Sequence, residues 1–391
     1  MGLFSRHFSR TSQSITARWW WTVDRAMLAF IFVLYIIGAF MIATASPSVA
    51  IRIGAYEYLF LIKHFIVLLP SIIVMLVISL FDVDTLRRAS MIAFVGCIVL
   101  LIYTLFFGLE VKGAKRWIDL PFFSLQPSEF AKPAFIVVTA WLMARYKENS
   151  QFKGHYYAWG LFLFLIALLL LQPDLGMTFV VTVSFFSVMF LAGLPFRYVF
   201  ILAGLGVTAF VLIYMSFSHV QSRVDRFLNP ESGDTYQIEK SLDAFKNGGI
   251  TGTGPGQGEV KLRIPDAHAD FIFSVAAEEF GLFFIITLIG IYGYIFVRGF
   301  NRIMDSDNLF IILSVGGLLT MFALQALVHM GSALHIVPTK GMTLPLISYG
   351  GSSLLSMSMV MGMILALTRK QRKRGISKGG LTIREIGGEK L

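Results

Sequence analysis

Ile264-Pro265-Asp266-Ala267-His268-Ala269-Asp270-Phe271-Ile272-Phe273 marks the point where a long polar stretch, 218–270, gives way to an apolar run, 271–297. Most other connections between apolar runs in this chain are short, so the polar excursion asks for a functional reason. Asp270 lies where the chain goes back into hydrocarbon. Ser274 and Glu278 follow at four-residue intervals, and that spacing predicts one polar stripe along a helix. Carboxylates are costly inside an apolar span, so Asp270 and Glu278 read first as a site.

The rest of the chain explains what the run at 271–297 spans. Of 391 residues, 56% are hydrophobic and 14% charged, and mean hydropathy is +0.73. A soluble domain would carry roughly 25% charged residues. Apolar runs lie near 26–44, 58–80, 90–108, 127–144, 157–172, 176–193, 197–217, 271–297, 309–330 and 345–367. Crossing a bilayer takes about 20 apolar residues as a helix and about 10 as a barrel strand, so these runs predict helices. The expected fold is all-α and polytopic, with about ten transmembrane helices and one long extracytoplasmic loop between helices seven and eight.

Lys and Arg set the orientation. Arg6, Arg10, Arg18 and Arg25 precede the first run, and Arg87, Arg88, Arg145, Lys147 and Lys153 fill loops on the same side. Arg369-Lys370-Gln371-Arg372-Lys373-Arg374 begins the tail. The positive-inside rule makes that side, and both termini, cytoplasmic. The expected organisation is a cytoplasmic segment 1–25, a transmembrane domain 26–368 and a basic disordered tail 369–391. The first run lacks a convincing cleavage site and reads as a retained helix. The net charge of +10 reads as membrane electrostatics, with membrane lipids rather than nucleic acid as the partner. Cys97, the single cysteine, lies within a span and says nothing of redox compartment.

One outer loop breaks the charge rule. Lys112-Gly113-Ala114-Lys115-Arg116-Trp117-Ile118-Asp119 puts three bases where bases are disfavoured. It reads either as headgroup contact with Trp117 in the aromatic belt, or as a cradle for an anion such as phosphate, which Arg can grip with two bonds. The next helix opens Leu125-Gln126-Pro127-Ser128-Glu129-Phe130-Ala131-Lys132-Pro133. Glu129 and Lys132 share a face three residues apart, either as a self-satisfied pair or as part of a site. Helices four and eight descend from the same outer face, so Glu278 and Lys132 are expected to share one buried network beneath Asp270.

Other candidates are weaker. Gly252-Thr253-Gly254-Pro255-Gly256-Gln257-Gly258 has no lysine at Walker spacing and reads as a turn where backbone comes close to something. Asp174, in Gln172-Pro173-Asp174-Leu175-Gly176, has the position of a helix cap. His268 has no second ligand at metal spacing.

These residues carry a family resemblance over nearly the whole chain. Gly113-Ala114-Lys115-Arg116-Trp117-Ile118, Gln126-Pro127-Ser128-Glu129-Phe130-Ala131-Lys132, Gln172-Pro173-Asp174-Leu175-Gly176, Ala267-His268-Ala269-Asp270-Phe271-Ile272-Phe273 and Ser348-Tyr349-Gly350-Gly351-Ser352-Ser353 resemble the motifs of the SEDS family (shape, elongation, division and sporulation). Trp19-Trp20-Trp21-Thr22-Val23-Asp24-Arg25 and Pro338-Thr339-Lys340-Gly341-Met342-Thr343-Leu344-Pro345 look like the division branch, FtsW, rather than the elongation branch, RodA. His329 and His335 depart from the pattern, at positions where Asn and Gly are commoner.

The resemblance implies a peptidoglycan glycosyltransferase of the bacterial cytoplasmic (inner) membrane. It would polymerise lipid II onto a lipid-linked glycan at the division septum and release undecaprenyl pyrophosphate. Its partners would be a class B penicillin-binding protein and other divisome proteins. By motif, Asp270 matches the family's catalytic aspartate. Trp117, Glu129 and Glu278 match positions important for activity, and Lys132 matches an intramembrane lysine. Lys115, Arg116 and Lys340 are the candidate cations for the leaving pyrophosphate, with or without a bridging divalent ion, Mg or Mn. Asp174, His268, Ser274 and Ser352 complete the candidate supporting residues. A lipid II flippase and a structural divisome scaffold are the alternatives, since buried charges also suit transport pathways.

Overall fold

A computed structural model describes residues 14–111, 114–120, 124–195, 236–338 and 341–370, with isolated positions between 197 and 225. A short helix, α1 (Ile15–Thr22), precedes α2 (Arg25–Arg52), α3 (Leu59–Ser79) and α4 (Val83–Phe107). Then come α5 (Pro127–Glu148), α6 (Gly154–Leu171), α7 (Leu175–Leu191), α8 (Tyr236–Gly248), α9 (Ile272–Met304), α10 (Leu309–Ala333) and α11 (Gly351–Leu367). Several starts are encoded by caps that satisfy the orphan amides of a first turn. Asp24 accepts from the amides of Ala26 and Met27, Asp82 from that of Thr85, and Asn308 from that of Ile311.

Nine of the ten apolar runs coincide with helices; the run at 197–217 falls largely outside the described residues. By length and composition, α2, α3, α4, α6, α9 and α10 are each able to cross a membrane. The apolar helices α7 and α11 are shorter, at 17 residues each. Several boundaries move. Helix α2 runs on to Arg52, through Pro47, and the run expected to begin at 345 becomes helical only at Gly351. The tail beyond 370 and Lys340 lie outside the described residues.

The chain is not purely helical. Strands β1 (Leu109–Val111), β2 (Ala114–Asp119) and β3 (Ser124–Leu125) form an antiparallel sheet in the order β1-β2-β3, with Leu109 opposite Trp117 and Ile118 opposite Leu125. Between two helices, a connection of this length satisfies its backbone groups by folding back on itself, which corrects the all-α expectation.

Cross-contacts define two ends of the bundle. At one, Arg298 and Arg302 donate to Asp24, Trp19 donates to Ser79, and the Lys370 amide donates to the Thr22 carbonyl. At the other, the sheet, α8, the turn at 264–271 and the turn at 341–350 gather around the starts of α5, α9 and α11. Among the six apolar spans α10 is the most enclosed. Lipid is as apolar as leucine, so association relies on close packing and on polar ties such as Tyr35 Oη to Ser358 Oγ (2.6 Å).

Helix α9 is broken at Gly281 (φ 72°, ψ −173°), a conformation glycine adopts without a Cβ penalty. The break frees amides that hydrocarbon cannot satisfy. Leu282 and Phe283 donate instead to the carbonyls of Gly249 and Ile250, while Thr253 and Gly254 donate to those of Glu278 and Glu279 (2.9 and 3.0 Å). The glycine-rich segment is thereby spliced into the helix, which is the close backbone approach the sequence predicts there.

Candidate functional site

Asp270 lies in the turn that leads into α9, two residues before the helix proper, and is half-buried. Its amide donates to the Asp266 carbonyl at 3.0 Å, with Asp266 at φ 52°. A methyl group at Gly341 would lie 3.4 Å from Asp270 Oδ2, so the 341–350 turn forms one wall beside the carboxylate. His268, two residues back, is buried between the rings of Phe60 (4.4 Å) and Tyr349 (4.9 Å). Burial pushes its imidazole down to about 4, against an opposing pull from Asp266. His268 is therefore neutral at physiological pH and packs the turn rather than adding positive charge.

Ser274 and Glu278 do share a face, and α8 covers it. Ser241 Oγ lies 2.6 Å from Ser274 Oγ and from the Ala333 carbonyl oxygen. The Glu278 carboxylate accepts from the amides of Val260 (2.7 Å) and Lys261 (2.8 Å) and from Asn247 Nδ2 (2.9 Å). It thereby caps a single 3-10 turn, Val260–Arg263. Beside it, the buried pair Lys261–Glu279 sits under the loop, and Lys261 also donates to the Thr44 carbonyl.

The second buried cluster is centred on α5. Lys132 Nζ lies 2.8 Å from Glu129 Oε2, 3.0 Å from Gln325 Oε1 and 3.2 Å from Met177 Sδ. Lys132 and Glu278 therefore belong to separate clusters, contrary to the expected shared network. The 3-10 turn at Val260–Arg263 brings backbone amides to the Glu278 carboxylate, and with Asn247 these are its partners among the described residues. Ser356 Oγ donates to the Glu129 carbonyl, fixing the first turn of α5 against α11.

The sheet brings the third group. Lys115 is exposed and Trp117 half-buried. Arg116 donates to the carbonyls of Gln172 (2.8 Å) and Pro173 (2.5 Å), and its Nη1 lies 3.8 Å from Asp174 Oδ2. Its fork thus holds the 172–174 turn. Asp174 caps α7 through the Met177 amide and accepts from Gln126 Nε2. Ser352 Oγ accepts from the Gln126 amide and donates to the Ser124 carbonyl, tying β3 and α5 to α11. Among the described residues no three His, Cys, Asp or Glu side chains are grouped to hold a metal ion.

Sequence reasoning passed over Asn247, Lys261, Glu279 and Gln325. Only Glu279 carried a signal: a second carboxylate next to Glu278 in an apolar run demands a cation. The candidate residues therefore comprise a half-buried carboxylate at one end of the bundle, an exposed lysine and a half-buried tryptophan on the sheet, and two buried clusters.

The chain matches the model of the FtsW/RodA/SpoVE family, described as cell cycle protein, over residues 24–373. It is 40% identical over 365 residues to the probable peptidoglycan glycosyltransferase FtsW of Caulobacter vibrioides, covering 93% of this chain and 94% of that one. Its identity to the corresponding protein of Legionella pneumophila is 33% over 370 residues, 92% and 94% of the two chains. Among solved structures, a chain from work on structural coordination of polymerization and crosslinking by a peptidoglycan synthase complex superposes with a TM-score of 0.72 at 27% identity, covering 88% of this chain and 97% of that one. The Thermus thermophilus rod shape determining protein RodA gives 0.66 at 26% identity, over 90% and 99%. This polytopic membrane protein belongs to the FtsW/RodA/SpoVE family.

Proposed function

We propose that this chain is a peptidoglycan glycosyltransferase that polymerises lipid II during cell division. The observation that carries the reading is the position of Asp270: half-buried, at an end of the bundle, in the turn that leads into α9 and beside the turn that begins at Gly341. The acceptor sugar's hydroxyl must lose a proton as it attacks the anomeric carbon of the lipid-linked donor. A carboxylate within hydrogen-bond reach takes that proton as general base. The bond from the anomeric carbon to the pyrophosphate oxygen breaks as the new glycosidic bond forms, and undecaprenyl pyrophosphate leaves.

Negative charge grows on that leaving group, and fixed cations stabilise it. Lys115, exposed on β2, is available for this role, and Lys340, adjacent to Gly341 in sequence, is the second candidate. Arg116 acts through the 172–174 turn that it grips. Trp117 stands at the same sheet as a surface for sugar or lipid. A divalent cation, magnesium or manganese, would add positive charge at the substrate pyrophosphate. We place the chain as ten spans with both termini in the cytoplasm of a bacterium and the site facing outward at the septum. There a class B penicillin-binding protein would crosslink the new glycan.

Purified chain, with and without such a partner, given labelled lipid II, tests this reading. Polymer from the parent and none from Asp270→Asn supports it. Transfer of lipid II between leaflets without polymer makes the chain a flippase, and neither activity makes it a scaffold.

A further inference from the structure

The turn at 341–349 is held from every side, and it touches Asp270. Gln325 Nε2 donates to the Thr343 carbonyl at 3.3 Å, and His329 Nδ1 lies 2.6 Å from the Met342 carbonyl. Tyr292 Oη donates to the Pro345 carbonyl at 2.6 Å. Leu346 sits at φ 65°, a region that is strained for a branched side chain. Its carbonyl oxygen packs against Gly38 of α2, where a methyl group would come within 2.8 Å. Strain of this kind persists only where the surroundings over-determine it.

Two bonds then hook this turn to the stretch that carries Asp270. Ser348 Oγ accepts from the Leu344 amide (2.8 Å) and donates to the Ala269 carbonyl (2.8 Å). The Tyr349 amide donates to the His268 carbonyl at 3.0 Å. On its far side the turn reaches Lys132, because Gln325 Oε1 accepts from Lys132 Nζ at 3.0 Å.

We infer that Ser348 is a positioning residue for Asp270, fixing the neighbouring peptide to a strained turn that Gln325 anchors from the opposite side. The inference rests on the reading of Asp270 as the base. Ser348 is buried and its hydroxyl is engaged at both ends, so it acts through Ala269 rather than on substrate. A displacement of about 1 Å at a reacting group lowers turnover by up to about a hundredfold, and binding elsewhere is unaffected.

The test uses the full chain in lipid vesicles under conditions where the parent polymerises labelled lipid II. Ser348→Ala is expected to lower kcat by about tenfold to a hundredfold with KM near the parent value. Ser71→Ala is the control: it removes an equally buried serine bond, to Val67, within α3, and should behave as the parent. Parent-like kcat in Ser348→Ala, or a raised KM with kcat unchanged, overturns the inference while an inactive Asp270→Asn keeps the underlying reading intact. An active Asp270→Asn overturns that reading itself. If Ser348→Ala does not fold, Gln325→Met decides: a smaller kcat loss at constant KM supports the inference, and parent kcat overturns it.

Discussion

Glu278 and Glu129 are both buried carboxylates in apolar helices, yet they are satisfied in opposite ways. Glu129 meets Lys132 three residues along its own helix, so charge answers charge. Among the described residues no lysine pairs with Glu278; it accepts from two backbone amides of a loop and from Asn247. The first arrangement stiffens the interior of the bundle and reaches the Asp270 turn through Gln325. The second staples an extramembrane loop onto the half-helix that starts just after Asp270. Desolvation forces each carboxylate to find partners, and for Glu278 the 3-10 turn Val260–Arg263 supplies them from backbone.

Lys132→Met should break this contrast most severely. It leaves Glu129 buried without its cation, at a cost of about 3–5 kcal/mol. Adding Glu129→Gln should recover most of that loss, as measured by unfolding in detergent; a harmless single variant would show that the pair is not a charge pair. Glu278→Ala should cost less, about 2–3 kcal/mol, because it strips a charged acceptor from buried donors. Its signature is local: hydrogen exchange at the amides of Val260 and Lys261 should rise while α5 stays protected. Unchanged protection there would contradict the staple.

At neutral pH His268 makes the smallest difference. Its folded-state value, about 4, lies below the ordinary 6.5. Between those values the unfolded chain takes up a proton that the folded chain refuses, so stability falls as pH drops from about 6.5 to 4. Unfolding measured across that window should show a flatter slope in His268→Gln than in the parent. Equal slopes would mean that the imidazole is not held neutral.

The comparison also explains what the sequence could reveal. Glu129 and Lys132 were legible because a helix puts residues three apart on one face. The spans were legible because hydrocarbon sets their length, and Asp270 because it stands where an apolar run begins. The partners of Glu278 were not, since a backbone amide carries no residue identity. The sheet at 109–125 was hidden in short, irregular strands with no clean alternation, and the turn at 341–349 in an apolar stretch that reads like the start of a span. Gln325 looked like an ordinary polar residue, and Ser348 was visible only as the first residue of a motif, because the role of each depends on which carbonyls the fold brings to it.

The most direct measurement is polymerisation of labelled lipid II by the purified parent and by Asp270→Asn at equal folded concentration. The account predicts glycan from the parent and none from the variant, with substrate binding retained in both. Glycan from Asp270→Asn at the parent rate would contradict it.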